Sequence, residues 1–285
     1  ISFDVPFPPN YGGVVDVYYK IKALHDLGVG VHLHCFEYGR GEQSHLNDLC
    51  ASVSYYRRDE NKLNFLKKQP YIIASRANAT LLDALKKDEL PVIIEGLHNC
   101  WLIDALKTSD RQIFVRTHNV EHDYYIGLAK VEKNLAKRQY FKWEASKLQN
   151  YEAVLGKADG LFTISPNDQA YFQSKYGNAM LMPAFHSGNE VTSKEGKGNY
   201  SLYHGNMAVG ENIEAATYLI ENVFADNEQH LIIAGSNPPI ELISLAAKYK
   251  NVEVRANISV DHLNKLIADA HVNVLPTFQP TGIKL

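Results

Sequence analysis

Short strand-sized runs rich in β-branched residues alternate with segments of helical period along all 285 residues, which restricts the chain to few architectures. Such alternation builds βαβ units, and therefore parallel sheets covered by helices. The first series reads as a strand at Ile1–Val5, the loop FPPNYGG and a helix over Val14–Leu27. Strands follow at Gly30–Phe36, Val53–Tyr56, Val92–Glu95, Gln112–Arg116 and Gly160–Ile164. Between Tyr124 and Gly156, Leu128, Val131, Leu135, Phe141, Ala145, Leu148 and Leu155 recur with near-helical spacing and predict one long helical stretch. Residues 186–199, HSGNEVTSKEGKGN, are polar and aperiodic and read as a linker.

A second series begins with strand Ser201–His204 and helix Glu211–Val223. It continues with strand His230–Ala234, helix Ile240–Tyr249, strand Val252–Arg255, helix Val260–Ala270 and strand Val272–Leu275. The expected fold is α/β, with two doubly wound, Rossmann-like domains over residues 1–185 and 200–285 that face a cleft. In such sheets ligands bind at the carboxyl ends of the strands. The second series stops at Leu285 as a helix opens, so that domain is expected to be incomplete.

Hydrophobic residues make up 45% of the chain and charged residues 21%, which excludes global disorder. A formal charge of −3 gives no electrostatic case for nucleic acid. The apolar runs are strand-sized, far below the roughly 20 residues of a membrane span. The opening ISFDVPFPP lacks the basic region of a signal peptide, and Cys35, Cys50 and Cys100 are odd in number. Both features read as a cytoplasmic chain with reduced thiols.

The loops after the strands carry the candidate chemistry. Gly12 and Gly13 open the first helix, whose free N–H groups suit an anion. The segment RTHNVEHDYY places His118, Asn119, Glu121 and His122 at a strand end, where an imidazole can orient a sugar or transfer a proton. The neighbouring loop EGLHN adds Glu95 and His98. In the second series, YHGN brings Gly205 and Asn206, LIIAG ends at Gly235, and PTFQPTGIKL predicts a helix opening at Thr281 and Gly282. There, backbone N–H groups through Ile283, with Lys284, would hold a diphosphate. His32 and His34 share one face of a strand without a carboxylate and read as structural. The row Lys130, Lys133, Lys137, Arg138, Lys142 and Lys147, interleaved with Tyr140, Phe141 and Trp143, reads as a solvated helix face, with peripheral contact to an anionic membrane as the alternative. No Asp-x-Asp occurs in the sequence.

The order of GG loop, strand-end His, GLFTIS, linker, YHGN, IIAG, LIADAHVNVLPT and a TG loop resembles the retaining glycosyltransferases of family 4, which have the two-domain GT-B architecture. The similarity runs over essentially the whole chain, most specifically at LIADAHVNVLPTFQPTG, and is nearest to bacterial, mannosyltransferase-like enzymes of polysaccharide or lipid-linked glycan assembly. It implies an acceptor-binding N-terminal domain and a C-terminal domain for the nucleotide-sugar. Carried over, Gly12 and Gly13 match the glycine loop beside the donor diphosphate, and His118 the histidine that meets the donor sugar. Gly205 matches the glycine opening the C-terminal site, and Gly282 the second glycine of the Glu-Gly-Phe-Gly loop. Three positions depart from the pattern: Asn206 stands for an arginine, Glu211 for a lysine and Gln279 for the first of two glutamates.

The resemblance implies retaining transfer of a sugar from a GDP- or UDP-sugar to a glycan or lipid-linked acceptor, without cofactor or metal. His118 would be the catalytic residue. Gly12, Gly13, Gly205, Asn206, Gly235, Gln279, Thr281, Gly282, Ile283 and Lys284 would bind donor, and Glu95, His98, Asn119 and Glu121 would touch sugar or acceptor. A catalytically silent GT-B module that binds glycan or partners a transferase is the alternative suggested by the three departures. A sugar-nucleotide epimerase is a third reading. Location at the inner face of the cytoplasmic membrane would fit a lipid-linked acceptor.

Overall fold

A computed structural model describes residues 1–107, 110–188, 190–278 and 282–283. The chain forms two compact units. The first comprises Ile1–Ala129, Ala136–Ser187 and Thr281–Leu285, and the second comprises Lys130–Leu135 and Gly188–Pro280. Residues 130–135 therefore cluster with the second unit and Gly282 and Ile283 with the first, whereas a simple division of the sequence keeps each with its chain neighbours.

The strands of the first unit are β1 (His32–Glu37), β2 (Ser52–Arg57), β3 (Val92–Glu95), β4 (Ile113–Thr117), β5 (Gly160–Thr163) and β6 (Ala179–Leu181). β1 pairs with β2, and β3 to β6 form a second parallel sheet in that order. Between β1 and β3 runs the amino-terminal segment. Ser2 bridges Cys35 in parallel, its N–H donates to the His34 carbonyl (2.8 Å), and the Glu95 N–H donates to the Ile1 carbonyl (2.9 Å). This stitching gives the order β2, β1, amino-terminal segment, β3, β4, β5, β6, a Rossmann arrangement. The expected strand Ile1–Val5 is reduced to that bridge. The Asp4 side chain accepts the Val5 N–H (2.8 Å) and the Ser2 hydroxyl donates to the Asp4 carbonyl (2.6 Å), so side chains satisfy backbone that a ladder would otherwise pair.

Helices α1 (Gly12–Asp26), α2 (Tyr71–Ala74), α3 (Ala79–Leu85), α4 (Leu102–Leu106), α5 (Glu121–Val131), α6 (Leu135–Tyr151) and α7 (Pro166–Tyr176) accompany these strands. The boundaries of α7 follow from its sequence: the Ser165 hydroxyl caps the Asp168 N–H (3.1 Å), Pro166 fits the first turn, and Gly177 ends the helix at φ +77°. The long helical stretch is broken between α5 and α6, where the Asn134 N–H takes the Glu132 carboxylate (2.8 Å) instead of a helical carbonyl. The basic row is not uniformly solvated. Lys147 is buried, donates to Glu144 and to the Phe65 carbonyl (2.8 Å each), and lies 3.7 Å from the centre of the Trp143 ring. No helix among the described residues is long and apolar enough to cross a membrane.

Two apolar clusters fill the first unit. One gathers Ile94, Ile103, Ile113, Val115, Leu148, Leu161 and Phe172, and the other gathers Val5, Val17, Ile21, Leu33, Cys35 and Leu46. His32 and His34 bond across the small sheet to Ser52 and Tyr56 (2.8 Å each), a structural role. Cys35 and Cys100 are buried free thiols and Cys50 is half-buried. Burial pushes the Cys35 thiol up to about 12 and that of Cys50 to about 11.

The second unit holds β7 (Ser201–Asn206), β8 (Leu231–Ser236), β9 (Val252–Ala256) and β10 (Val272–Asn273), with α8 (Gly210–Tyr218), α9 (Ile240–Ala246) and α10 (Val260–Asp269). Its parallel sheet has the order β10, β7, β8, β9. Alternate residues of β7 and β8 enter opposite clusters: Tyr203, Leu231 and Ile233 on one face, Leu202, Ile232 and Ala234 on the other. A strand buried on both faces must be apolar throughout, which is why these runs read clearly in the sequence.

Candidate functional site

The carboxyl ends of β3 and β4, with the buried face of α1, assemble five ionisable side chains. Asp16 and Lys20 lie one helical turn apart among Val14, Val17, Tyr18 and Ile21 on that face. Arg116, fully buried, grips Asp16 with two hydrogen bonds, Nε to Oδ2 (3.0 Å) and Nη2 to Oδ1 (2.8 Å). The same guanidinium donates to the Met182 (2.6 Å) and Pro183 (3.1 Å) carbonyls, and Asp16 Oδ1 also accepts the Phe185 N–H (2.9 Å). Lys20 Nζ lies 2.6 Å from Glu95 Oε1 and 3.4 Å from Asp16 Oδ2. His118 Nε2 lies 3.0 Å from Glu95 Oε2.

Burial alone would raise both carboxyls, and the cations reverse the shift. Arg116 and then Lys20 hold Asp16 well below the usual range, while Lys20 and His118 hold Glu95 at about 2. Glu95 is therefore an anion at neutral pH. The hydrogen between it and His118 belongs to the imidazole, so Nε2–H donates, and Nδ1 is the ring atom left to accept or, once protonated, to donate. Phe3 joins this network to the neighbouring loops. Its ring stacks on His98 (4.8 Å) and stands edge-on to His118 (5.5 Å), and a Cβ on Gly13 would sit 2.7 Å from its Cζ.

Ligand atoms of Asp16, Glu95 and His118 come within 4.8 Å of one another, the spacing of a metal site. Both carboxylates are already neutralised by Lys20 and Arg116, which a divalent ion would have to displace. A cavity of about 120 Å³ against Lys20 and Arg116 is otherwise lined by Leu24, Ile93, Phe162, Met182 and Phe185, apolar surroundings that favour charge pairing over hydration. An open depression of about 540 Å³ at Asn227, Glu228, His230, Lys250 and Asn251 lies at the amino ends of β8 and β9, the wrong end for a ligand of this fold.

The sequence candidates thus fall into two groups. In the first unit Glu95, His98 and His118 are brought together around Phe3, beside Gly13 and the Gly12 start of α1. Gly282 also approaches here. It has φ +71°, a Cβ on it would lie 2.3 Å from Asn119 Oδ1, and its N–H donates to Asp168 Oδ2 (3.0 Å). It therefore does not open a helix among the described residues, and its amide faces a carboxylate. Glu121 is buried at the start of α5, and burial raises its carboxyl to about 7. Nearby, His122 Nδ1 lies 3.0 Å from buried Glu152, which also pairs with Lys175 (2.6 Å).

In the second unit Gly205 and Gly235 stand in register on β7 and β8, where a Cβ on Gly235 would lie 2.2 Å from the Gly205 carbonyl oxygen. Asn206 Oδ1 accepts the Ala208 N–H (3.0 Å), closing the loop into α8. Glu211 is buried in the first turn of α8 and accepts the Thr277 hydroxyl (3.0 Å). Gln279, Thr281 and Lys284 lie outside the described residues, and Ile283 is exposed.

Asp16, Lys20 and Arg116 escaped the sequence reading. The available signal was a pair of opposite charges at i and i+4 on an otherwise apolar helix face, facing an arginine inside an apolar strand.

No protein-family model matches the chain. It is 23% identical over 259 residues to an uncharacterized 44.6 kDa protein in the cps region of Klebsiella pneumoniae, and the match spans 88% of this chain and 64% of that protein's length. Among solved structures it resembles the UDP-forming α,α-trehalose-phosphate synthase of Burkholderia xenovorans (TM-score 0.55, 12% identity), over 100% of this chain and 79% of that one. It also resembles Phytolacca americana UGT2 complexed with UDP-2fluoro-glucose and pterostilbene (TM-score 0.54, 8% identity, 92% and 72% coverage). A third is Arabidopsis thaliana UGT89C1 complexed with UDP-L-rhamnose (TM-score 0.52, 12% identity, 91% and 69% coverage). The fold is GT-B. In GT-B terms, the first unit is the amino-terminal Rossmann-like half and the second the carboxyl-terminal half, with His118 at a strand end of the former.

Proposed function

We propose that the chain is a sugar transferase that takes a hexose from a nucleotide-sugar and delivers it to a glycan or lipid-linked acceptor in polysaccharide assembly, with retention of configuration. The reading is carried by the buried relay Lys20–Glu95–His118 at the carboxyl ends of β3 and β4 in a GT-B chain. Lys20 keeps Glu95 ionised, Glu95 fixes the imidazole by accepting its Nε2–H, and Nδ1 is held ready for the donor sugar. As the leaving diphosphate departs, positive charge grows on the sugar ring, and the fixed dipole and partial negative charge of the relay stabilise it without the reorganisation that free solvent would need. The helix amino terminus at Gly12 suits an anionic leaving group. Transfer without a metal fits the occupation of Asp16 and Glu95 by cations. The relative in a cps region supports polysaccharide as the product.

The test is a thermal-shift panel of GDP- and UDP-sugars with chelator present. A donor at about 100 times its Kd adds about 2.7 kcal/mol, and the base that raises the melting temperature names the donor class. His118→Ala should lower turnover at least ~10²-fold with the fold kept; activity within threefold of the parent removes His118 from the mechanism.

A second reading, a silent module, is favoured by Glu211, whose buried carboxylate occupies the first turn of α8, where a diphosphate would meet repulsion. The double change Asn206→Arg, Glu211→Lys separates the two: a gain in nucleotide affinity from none supports the silent module, and loss of an existing affinity supports the transferase.

A further inference from the structure

Two arginines of the first unit are not members of the relay and, among the described residues, form no ion pair with a carboxylate. Arg76, 2% exposed, donates only to neutral oxygens: Nε to the Phe3 carbonyl (3.1 Å), Nη1 to the Ile72 carbonyl (2.8 Å) and Nη2 to the Tyr38 hydroxyl (3.3 Å). Arg58, half-buried, donates Nε to the Ser75 hydroxyl (3.0 Å) and lies 4.7 Å from the Tyr38 ring centre and 5.0 Å from that of Tyr71. Among the described residues its two Nη groups have no partner, and no carboxylate comes within 4.0 Å of either guanidinium. Asp4, whose charge Arg76 feels, is already engaged by the Val5 N–H (2.8 Å), the Tyr11 hydroxyl (2.6 Å) and Arg40 (4.0 Å). Glu121 also feels Arg76, and is itself held towards its neutral form by burial.

Burial, and then the like charge of Arg58, bring Arg76 down to about 10. Two neighbouring cations, one buried and the other with open Nη donors, are unfavourable unless an anion joins them. Tyr38, stacked under Arg58 and 5.3 Å from the Arg76 guanidinium carbon, locks both planes in place, so little freedom is lost when an anion is gripped. The pair also adjoins the relay. Arg76 holds the Phe3 carbonyl, and the Phe3 ring touches both His98 and His118.

We propose that Arg58 and Arg76, with the Tyr38 hydroxyl, receive an oxyanion carried by the acceptor, either a sugar carboxylate or a sugar phosphate. The proposal rests on the transferase reading and deepens it by naming the acceptor's chemical class. Planar guanidiniums bind either group through paired hydrogen bonds, and the distance from relay to arginines is bridged by a single aromatic residue.

The experiment is equilibrium binding of methyl glucuronide and glucose 1-phosphate, with methyl glucoside as the neutral probe, to the whole protein, Arg58→Gln and Arg76→Lys. Circular dichroism verifies that each variant is folded. At least one charged probe should bind the parent tenfold or more tightly than the neutral probe, weaken with salt, and lose at least tenfold in Arg58→Gln. The charged probe that binds names the source of the oxyanion. Equal affinity for charged and neutral probes, or charged-probe binding that survives Arg58→Gln unchanged, overturns the proposal. Loss confined to Arg76→Lys also overturns it, since Arg58 carries the open donors. Nucleotide-sugar binding measured in parallel separates the two ideas: if donors fail to bind while the charged probe does, the transferase reading falls and the anion site remains.

Discussion

Replacing Lys20 by Met keeps the length and apolar stem of the side chain and removes the charge that faces Glu95 at 2.6 Å. Glu95 titrates at about 2 in the fold against an ordinary 4.5, a gap worth about 3 kcal/mol of stability at pH 7. Because the folded value is the lower one, that contribution is full above pH 4.5 and is lost as pH falls through 2, leaving about 1 kcal/mol at pH 3. His118 supplies part of that shift, so Lys20→Met should cost up to about 3 kcal/mol at pH 7, within the range found when one member of a buried pair is removed, and far less at pH 3. Both tryptophans, Trp101 and Trp143, belong to the first unit, so their fluorescence in urea follows that unit alone. A penalty below about 1 kcal/mol at pH 7, or one equally large at pH 3, would show that Lys20 does not hold the Glu95 charge, and the relay would lose its first member.

Glu121 should show the opposite sign. Its carboxyl is raised to about 7, so the fold is favoured below pH 4.5 and loses up to about 3 kcal/mol as pH rises through 7; Glu121→Gln should flatten urea stability over that window and exceed the parent at pH 8, and parallel pH profiles would contradict it. Gly235→Ala places a methyl against the Gly205 carbonyl and should destabilise the second unit by about 1–3 kcal/mol in a circular-dichroism melt. An unchanged melt would mean that the two strands separate at no cost.

The central strands were readable from sequence because they are buried on two faces, which leaves runs such as Leu231–Ala234 with no polar residue to blur them. The break between α5 and α6 was hidden, since Leu128, Val131 and Leu135 continue the helical period through it while a local Glu132–Asn134 hydrogen bond ends the helix. His118 and Glu95 were visible because a polar residue at the end of an apolar strand is conspicuous. Asp16 and Arg116 were not: they are 100 residues apart, and each alone looks like an ordinary surface charge until the fold brings them to 2.8 Å. Arg58 and Arg76 were equally silent, as a missing counterion has no signature in a linear pattern.

The cysteines turn the first unit into its own chemical clock. A thiol must ionise to be alkylated, and burial keeps Cys35 protonated until about pH 12, so modification at neutral pH has to wait for the surrounding structure to open. Cys35 sits on the two-stranded β1–β2 ladder, whereas Cys100, also buried, bonds through Sγ to the Gly96 carbonyl just past β3 (3.5 Å). Mass spectrometry of the two labels over time would report the opening of each sheet separately. Half-buried Cys50 would mark the moment at which the reagent arrives.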